Sequence, residues 1–159
     1  RIGCYVHHDG KLAVIMEVNS ESDFVANTPE FQELVQSLCM QVAAMNPQYV
    51  RREEIPEAAM AKQREIFEAQ VREMGKPEAV IPRIVEGKFQ AWYGDVCLLD
   101  QAYVKDEKGT PVGKMLAERI AKTGENIVVR RFVRFELGEG LAKKEDDFAA
   151  EVARMAAQA

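Results

Sequence analysis

The sequence predicts an α+β fold: a small antiparallel sheet covered by helices and followed by a C-terminal helix. Three observations carry that expectation. Ile2 to Val18 and Ile127 to Leu137 show apolar residues at the two-residue period of strands. Between them, apolar residues recur at helical spacing. The order lacks the regular β-α-β alternation of a parallel sheet.

The first segment reads as a hairpin. Ile2, Cys4 and Val6 alternate with Gly3, Tyr5 and His7, and Asp9-Gly10 supplies a two-residue turn that tolerates positive φ. The return strand, Lys11 to Val18, places Leu12, Val14, Met16 and Val18 on one face. Asn19 to Asn27 breaks the alternation, and its polar residues favour a turn or a short helical turn.

Thr28-Pro29-Glu30 starts a helix: Thr28 caps, Pro29 fits the first helical position and Glu30 suits the positive end of the dipole. Phe31, Leu34, Val35, Leu38, Val42 and Met45 form its apolar stripe, and Asn46-Pro47 ends it. A second helix is expected from Pro56 to Met74, with Met60, Phe67, Val71 and Met74 on a narrower stripe and Gly75 beyond its end. The third starts at Pro82, with Pro77 to Ile81 as lead-in, because an interior proline costs about 3 kcal/mol. Ile81, Ile84, Val85, Phe89 and Trp92 share its face.

Val96 to Leu99 fits neither pattern, and Lys105 to Pro111 is expected to be a mobile polar loop. Val112 to Lys122 reads as a short amphipathic helix stopped by Gly124. On the final strand one face carries Ile127, Val129, Val133, Phe135 and Leu137, interrupted by Arg131; the other carries Val128, Arg130, Phe132, Arg134 and Glu136. Ala142 to Ala157 closes the chain as a helix with Phe148, Val152 and Met155 on one side. Residues 1–140 are thus expected to form the core domain, and 141–159 a C-terminal helical segment.

Composition narrows the function classes. The chain has 159 residues, 47% apolar and 30% charged, which suits a soluble globular protein. Its net charge of −5 repels a phosphate backbone, so direct nucleic-acid binding is not expected. No apolar run approaches the roughly 20 residues of a membrane helix, so no membrane partner is expected. The chain does not begin with Met, which fits a piece of something longer. Cys4, Cys39 and Cys97 are far apart and read as reduced packing residues of a cytosol-like compartment. His7 and His8 are neighbours that a strand would point to opposite faces, so they make a poor metal site.

Catalytic chemistry is hard to find. There is no phosphate-binding glycine loop, and no nucleophile elbow surrounds Ser20 or Ser22. Most carboxylates fall on solvated helix faces. No catalytic residue, cofactor or metal is expected. Arg130-Arg131-Phe132-Val133-Arg134-Phe135 interleaves basic and aromatic residues, loosely like an RNA-stacking strand, which leaves an RNA- or ribosome-associated module as the alternative reading. Phe24, beside Asp23 in a polar loop, either folds back onto the core or anchors a partner.

Glu17-Val18-Asn19-Ser20-Glu21-Ser22-Asp23-Phe24-Val25-Ala26 resembles the signature of the elongation factor Ts family. Met45-Asn46-Pro47, Gly75-Lys76-Pro77, Ile84-Val85-Glu86-Gly87, Leu98-Leu99-Asp100-Gln101 and Gly124-Glu125-Asn126-Ile127 before Arg130-Arg131-Phe132 match in order. Ser20 stands where the family usually has Cys, and Ser22 where it usually has Thr. The three-helix N-terminal module and linker of the family are missing, as are the coiled-coil insertion and duplicated core of its longer members. The resemblance implies the core of the short type, whose members tend to dimerise through this region. It implies a non-enzymatic guanine nucleotide exchange factor in translation elongation whose partner is elongation factor Tu, GDP-bound or nucleotide-free. The compartment implied is bacterial cytoplasm, or otherwise a plastid stroma or mitochondrial matrix. Ser22, Asp23, Phe24 and Val25 would contact the partner and dislodge its Mg²⁺. Phe148, Val152 and Met155 are candidates for a further contact.

Overall fold

The computed structural model describes residues 1–141, and the expected C-terminal helix lies outside them. Strands β1 (Ile2–Val6), β2 (Leu12–Ser20) and β3 (Ile127–Glu136) form an antiparallel sheet in that order. The helices between are α1 (Asp23–Ala26), α2 (Pro29–Met45), α3 (Glu57–Glu73), α4 (Ile81–Val96) and α5 (Val112–Thr123). The α+β expectation holds.

The main core lies between the inner face of the sheet and α2. Val14, Met16 and Val18 of β2 are buried against Phe31, Leu34, Val35, Leu38 and Val42 of α2. The helix can come this close because β1 has no side chain at Gly3, where a Cβ would collide with Cγ1 of Val35. Thr28 caps α2 by accepting from the Phe31 amide, and Asn46 ends it in the left-handed region at φ 45°. Met45, assigned to the apolar stripe, is instead exposed at the last turn.

Two polar residues inside the core tie its far end. Gln41 of α2 donates to Gln101 Oε1 and the Ala102 carbonyl, and accepts from the Val104 amide. Gln101 donates to the Asp95 and Met45 carbonyls. Both are fully buried, and these bonds offset the desolvation their amides would otherwise suffer. They moor the start of the loop before α5, and within that loop Asp106 accepts from the Lys108 and Thr110 amides.

Helices α3 and α4 pack a second cluster of Phe67, Val71, Ile81, Val85 and Phe89, with Phe67 edge-on to Phe89 at 5.2 Å between centroids. Pro82 sits in the first turn of α4, where its missing amide costs nothing. Met74 leaves the stripe: it follows the last residue of α3 and is exposed. Cys39 and Cys97 are buried, and desolvation pushes both thiols up to about 11; Cys4 is exposed on the sheet.

Two strand expectations are corrected. The hairpin turn centres on His8-Asp9, with Gly10 following at φ +69°, so His7 and His8 leave the strand and their rings lie 4.2 Å apart rather than on opposite faces. On β3 the alternation breaks. Glu17 pairs with Arg131 but Val18 pairs with Val129, leaving Arg130 as an extra residue. This bulge reverses the phase, because strand side chains have a period of two. Ile127 and Val129 therefore face the core, whereas Val133 and Phe135 face outward. Arg131, read as an interruption of one face, marks the reversal. The Arg130 guanidinium and then that of Arg131 bond to Glu17 and hold its carboxyl below the usual carboxylate range.

The phase reversal separates two valines that uninterrupted alternation would place together. Val129→Asp buries an unpaired charge and should abolish or severely weaken folding. Val133→Asp, in dilute solution, should change stability by no more than about 0.5 kcal/mol. Chemical denaturation of both variants checks this; equal losses would restore the uninterrupted strand.

Candidate functional site

Among the described residues Phe24 stands out, with 90% of its surface exposed although its backbone is ordered in α1. A helix of four residues has no stability of its own in water, since nucleation is unfavourable and lengths below about 12 residues remain marginal. Its order therefore comes from outside the helix.

Ser22 is the N-cap, in extended conformation, and its hydroxyl oxygen accepts from the Val25 amide at 3.4 Å. That hydroxyl in turn donates to Oε1 of Glu125, and the Ser22 amide donates to Oε2 of the same carboxylate at 3.0 Å. The Ser20 hydroxyl donates to the Ser22 carbonyl at 3.0 Å. At the other end the Thr28 hydroxyl donates to the Val25 carbonyl at 2.8 Å while capping α2. Val25 and Ala26 pack against the main core.

The four expected contact residues thus divide. Asp23 and Phe24 are exposed at the crest of the turn. Ser22 and Val25 are half-buried and serve as cap and footing. The Asp-Phe pair is presented outward on a fixed base, and the reading of Phe24 as folded back on the core is set aside.

Beside this crest runs a groove of about 270 Å³ between the start of α2 and the end of α5. Val25, Phe31, Leu34 and Ile127 form its apolar floor, with Glu30, Arg119 and Lys122 along its edges. Glu125 belongs to the turn at one end of this region. Gly124 takes φ +73° as the C-cap of α5, and the Thr123 hydroxyl accepts from the Glu125 amide. Sequence patterns gave Glu125 no role beyond its place in a matching motif, because its partner is Ser22, 103 positions away.

The arginines of the basic strand are paired with carboxylates. Arg130 and Arg131 are both engaged by Glu17, and Arg134 pairs with Glu136. Phe132 packs against the main core, leaving Phe135 as the exposed ring of β3 among aliphatic neighbours. No helix of the described residues is long and apolar enough to cross a membrane. Phe148, Val152 and Met155 lie outside the described residues.

Comparison with known proteins identifies the family of the chain. The family model described as Elongation factor TS matches residues 1–139. Elongation factor Ts of Myxococcus xanthus is 53% identical over 158 residues, covering 99% of this chain and 72% of that protein. Elongation factor Ts of Geobacter metallireducens is 54% identical over 155 residues, covering 98% and 71%. That of Carboxydothermus hydrogenoformans is 51% identical over 152 residues, covering 96% and 70%.

Exposure separates Phe24 from the buried Phe31 seven positions along. Phe31→Ala should cost about 3–5 kcal/mol, as core phenylalanines do. Phe24→Ala should leave the thermal midpoint almost unchanged. A comparable loss for Phe24→Ala in parallel melting curves would return its ring to the core.

Proposed function

The chain belongs to the elongation factor Ts family, and on that premise we propose that it is a guanine nucleotide exchange factor for elongation factor Tu. It acts by binding and makes or breaks no covalent bond. The observation that supports this most strongly is the Phe24 ring, held out on a short turn that the rest of the molecule keeps in place. A large apolar side chain that contributes nothing to the core, on an ordered support, is what an anchor for a partner surface requires.

The proposed mechanism follows from linkage. Elongation factor Tu holds GDP with Mg²⁺. A factor that binds the nucleotide-free partner better than the GDP-bound one must weaken GDP binding by the same ratio. Phe24 wedges between side chains beside the switch region, and the Asp23 carboxylate disturbs the water shell of the partner's Mg²⁺. Loss of the ion removes positive charge from around the phosphates, and GDP leaves. GTP then binds and expels the factor.

A homodimer through the sheet belongs to the same proposal. Ile2, Cys4 and Val6 of β1, Ile15 of β2, and Val133 and Phe135 of β3 are exposed, with Leu137 just past the strand end. Cys4, Ile15 and Val133 align across the three strands. An apolar sheet face of this kind suits a second sheet packed against it. The Phe24 crest is not among these residues.

Two outcomes are expected. Joint replacement of Asp23 and Phe24 by Ala should remove most of the acceleration of GDP release in stopped-flow measurements with a fluorescent GDP analogue, while some binding persists. An undiminished rate would eliminate the Asp-Phe pair as the disrupting element. Alkylation of Cys4 should slow as protein concentration rises, and Val133→Asp should abolish that protection and shift sedimentation to the monomer. Protection unaffected by concentration would argue against pairing through this face.

A further inference from the structure

We propose that Glu125 is a positioning residue for nucleotide exchange: its carboxylate fixes the Phe24 turn in the orientation that engages the partner. The proposal rests on the exchange reading above and adds to it a residue that acts through Ser22.

The geometry is a relay of hydrogen bonds between residues 103 positions apart in the sequence. Glu125 Oε2 accepts from the Ser22 amide, and Oε1 accepts from the Ser22 hydroxyl. The same hydroxyl oxygen accepts from the Val25 amide. One carboxylate thus holds the cap residue by two atoms, and the cap holds the turn on which Phe24 stands. Bonds to an ionised acceptor are shorter and stronger than neutral ones, and each bond in such a chain polarises the next.

Glu125 is itself fixed. The left-handed Gly124 turns the chain out of α5, and the Thr123 hydroxyl meets both the amide and the carbonyl of Glu125. Two residues on, Ile127 pairs with Ser20 at the end of the β2–β3 ladder. The carboxylate therefore stands on α5 and the sheet, and it transfers their rigidity to a helix too short to order itself.

The chemistry restricts what can substitute. Glutamine keeps the length of the side chain but has one acceptor oxygen in place of two. It can hold the Ser22 amide or the hydroxyl proton, not both in the present arrangement. Alanine removes both bonds and leaves α1 to its other contacts, through Ser20, Thr28 and the core.

The test is GDP release from elongation factor Tu at increasing concentrations of the 159-residue chain and its variants. Misplacing a reacting or binding group by about 1 Å can cost up to 100-fold. Glu125→Ala should accordingly lower the maximal release rate by roughly 10- to 100-fold. The half-saturating concentration should change much less, and Glu125→Gln should recover part of the rate. In a background with both Asp23 and Phe24 replaced by Ala, Glu125→Ala should cause no further loss. Backbone relaxation measurements should show the Ser22 to Ala26 amides gaining nanosecond motion in Glu125→Ala while α2 and the sheet stay unchanged.

A maximal rate unchanged in Glu125→Ala, beside full acceleration by the unaltered chain, would overturn the positioning role alone. So would a further loss of the same size in the background lacking both Asp23 and Phe24, since the effect would then bypass the pair that the turn presents. If the unaltered chain fails to accelerate release, the exchange reading falls, and this role falls with it. Should Glu125→Ala fail to fold, the same comparisons are made with Glu125→Gln, for which an unchanged maximal rate and unchanged amide motion overturn the proposal.

Discussion

A single turn of helix cannot hold itself in water, and the presentation of Phe24 depends on that constraint. The residues of α1 need their amides and carbonyls satisfied by neighbours, and the neighbours come from distant parts of the chain. Ser20 ends β2, Thr28 begins α2, and Glu125 follows α5. The sheet, the long helix and the short helix meet at this one turn. A phenylalanine can stay in solvent there without collapse, because the backbone beneath it has no freedom to fold the ring inward.

The remainder of the architecture supplies rigidity to that meeting point. Gly3 lets β1 approach α2 closely, and the buried pair Gln41 and Gln101 fastens the far end of α2 to the segment leading into α5. These contacts bind the two supports of the turn, α2 and α5, to each other through the core. The bulge at Arg130 gives the sheet a second character. By reversing the phase of β3 it keeps Ile127 and Val129 in the core, and it turns Val133 and Phe135 to the open face. One strand can therefore build the core at its start and an apolar outer surface at its end.

Local chemistry was legible wherever a single residue type decides a conformation. Thr28-Pro29 as a helix start, Asn46 and Gly124 as helix ends, and Pro82 in a first turn all follow from steric and hydrogen-bonding rules within a few residues. The exposure of Phe24 was half legible: a phenylalanine in a polar turn fits no apolar stripe, though that leaves its direction open. The bulge was hidden because Val133, Phe135 and Leu137 sit at the same parity as Ile127 and Val129, so alternation alone reads one continuous face. The bond between Ser22 and Glu125 was not legible at all, since no local pattern links residues 103 positions apart.

The exchange role stands or falls on a difference between two affinities. Titration of the chain against elongation factor Tu, once nucleotide-free and once saturated with GDP and Mg²⁺, measures both. Reciprocal coupling requires tighter binding to the nucleotide-free form, by the same ratio as the chain weakens GDP binding. Equal affinities for the two forms would contradict an exchange function, however tightly the chain binds.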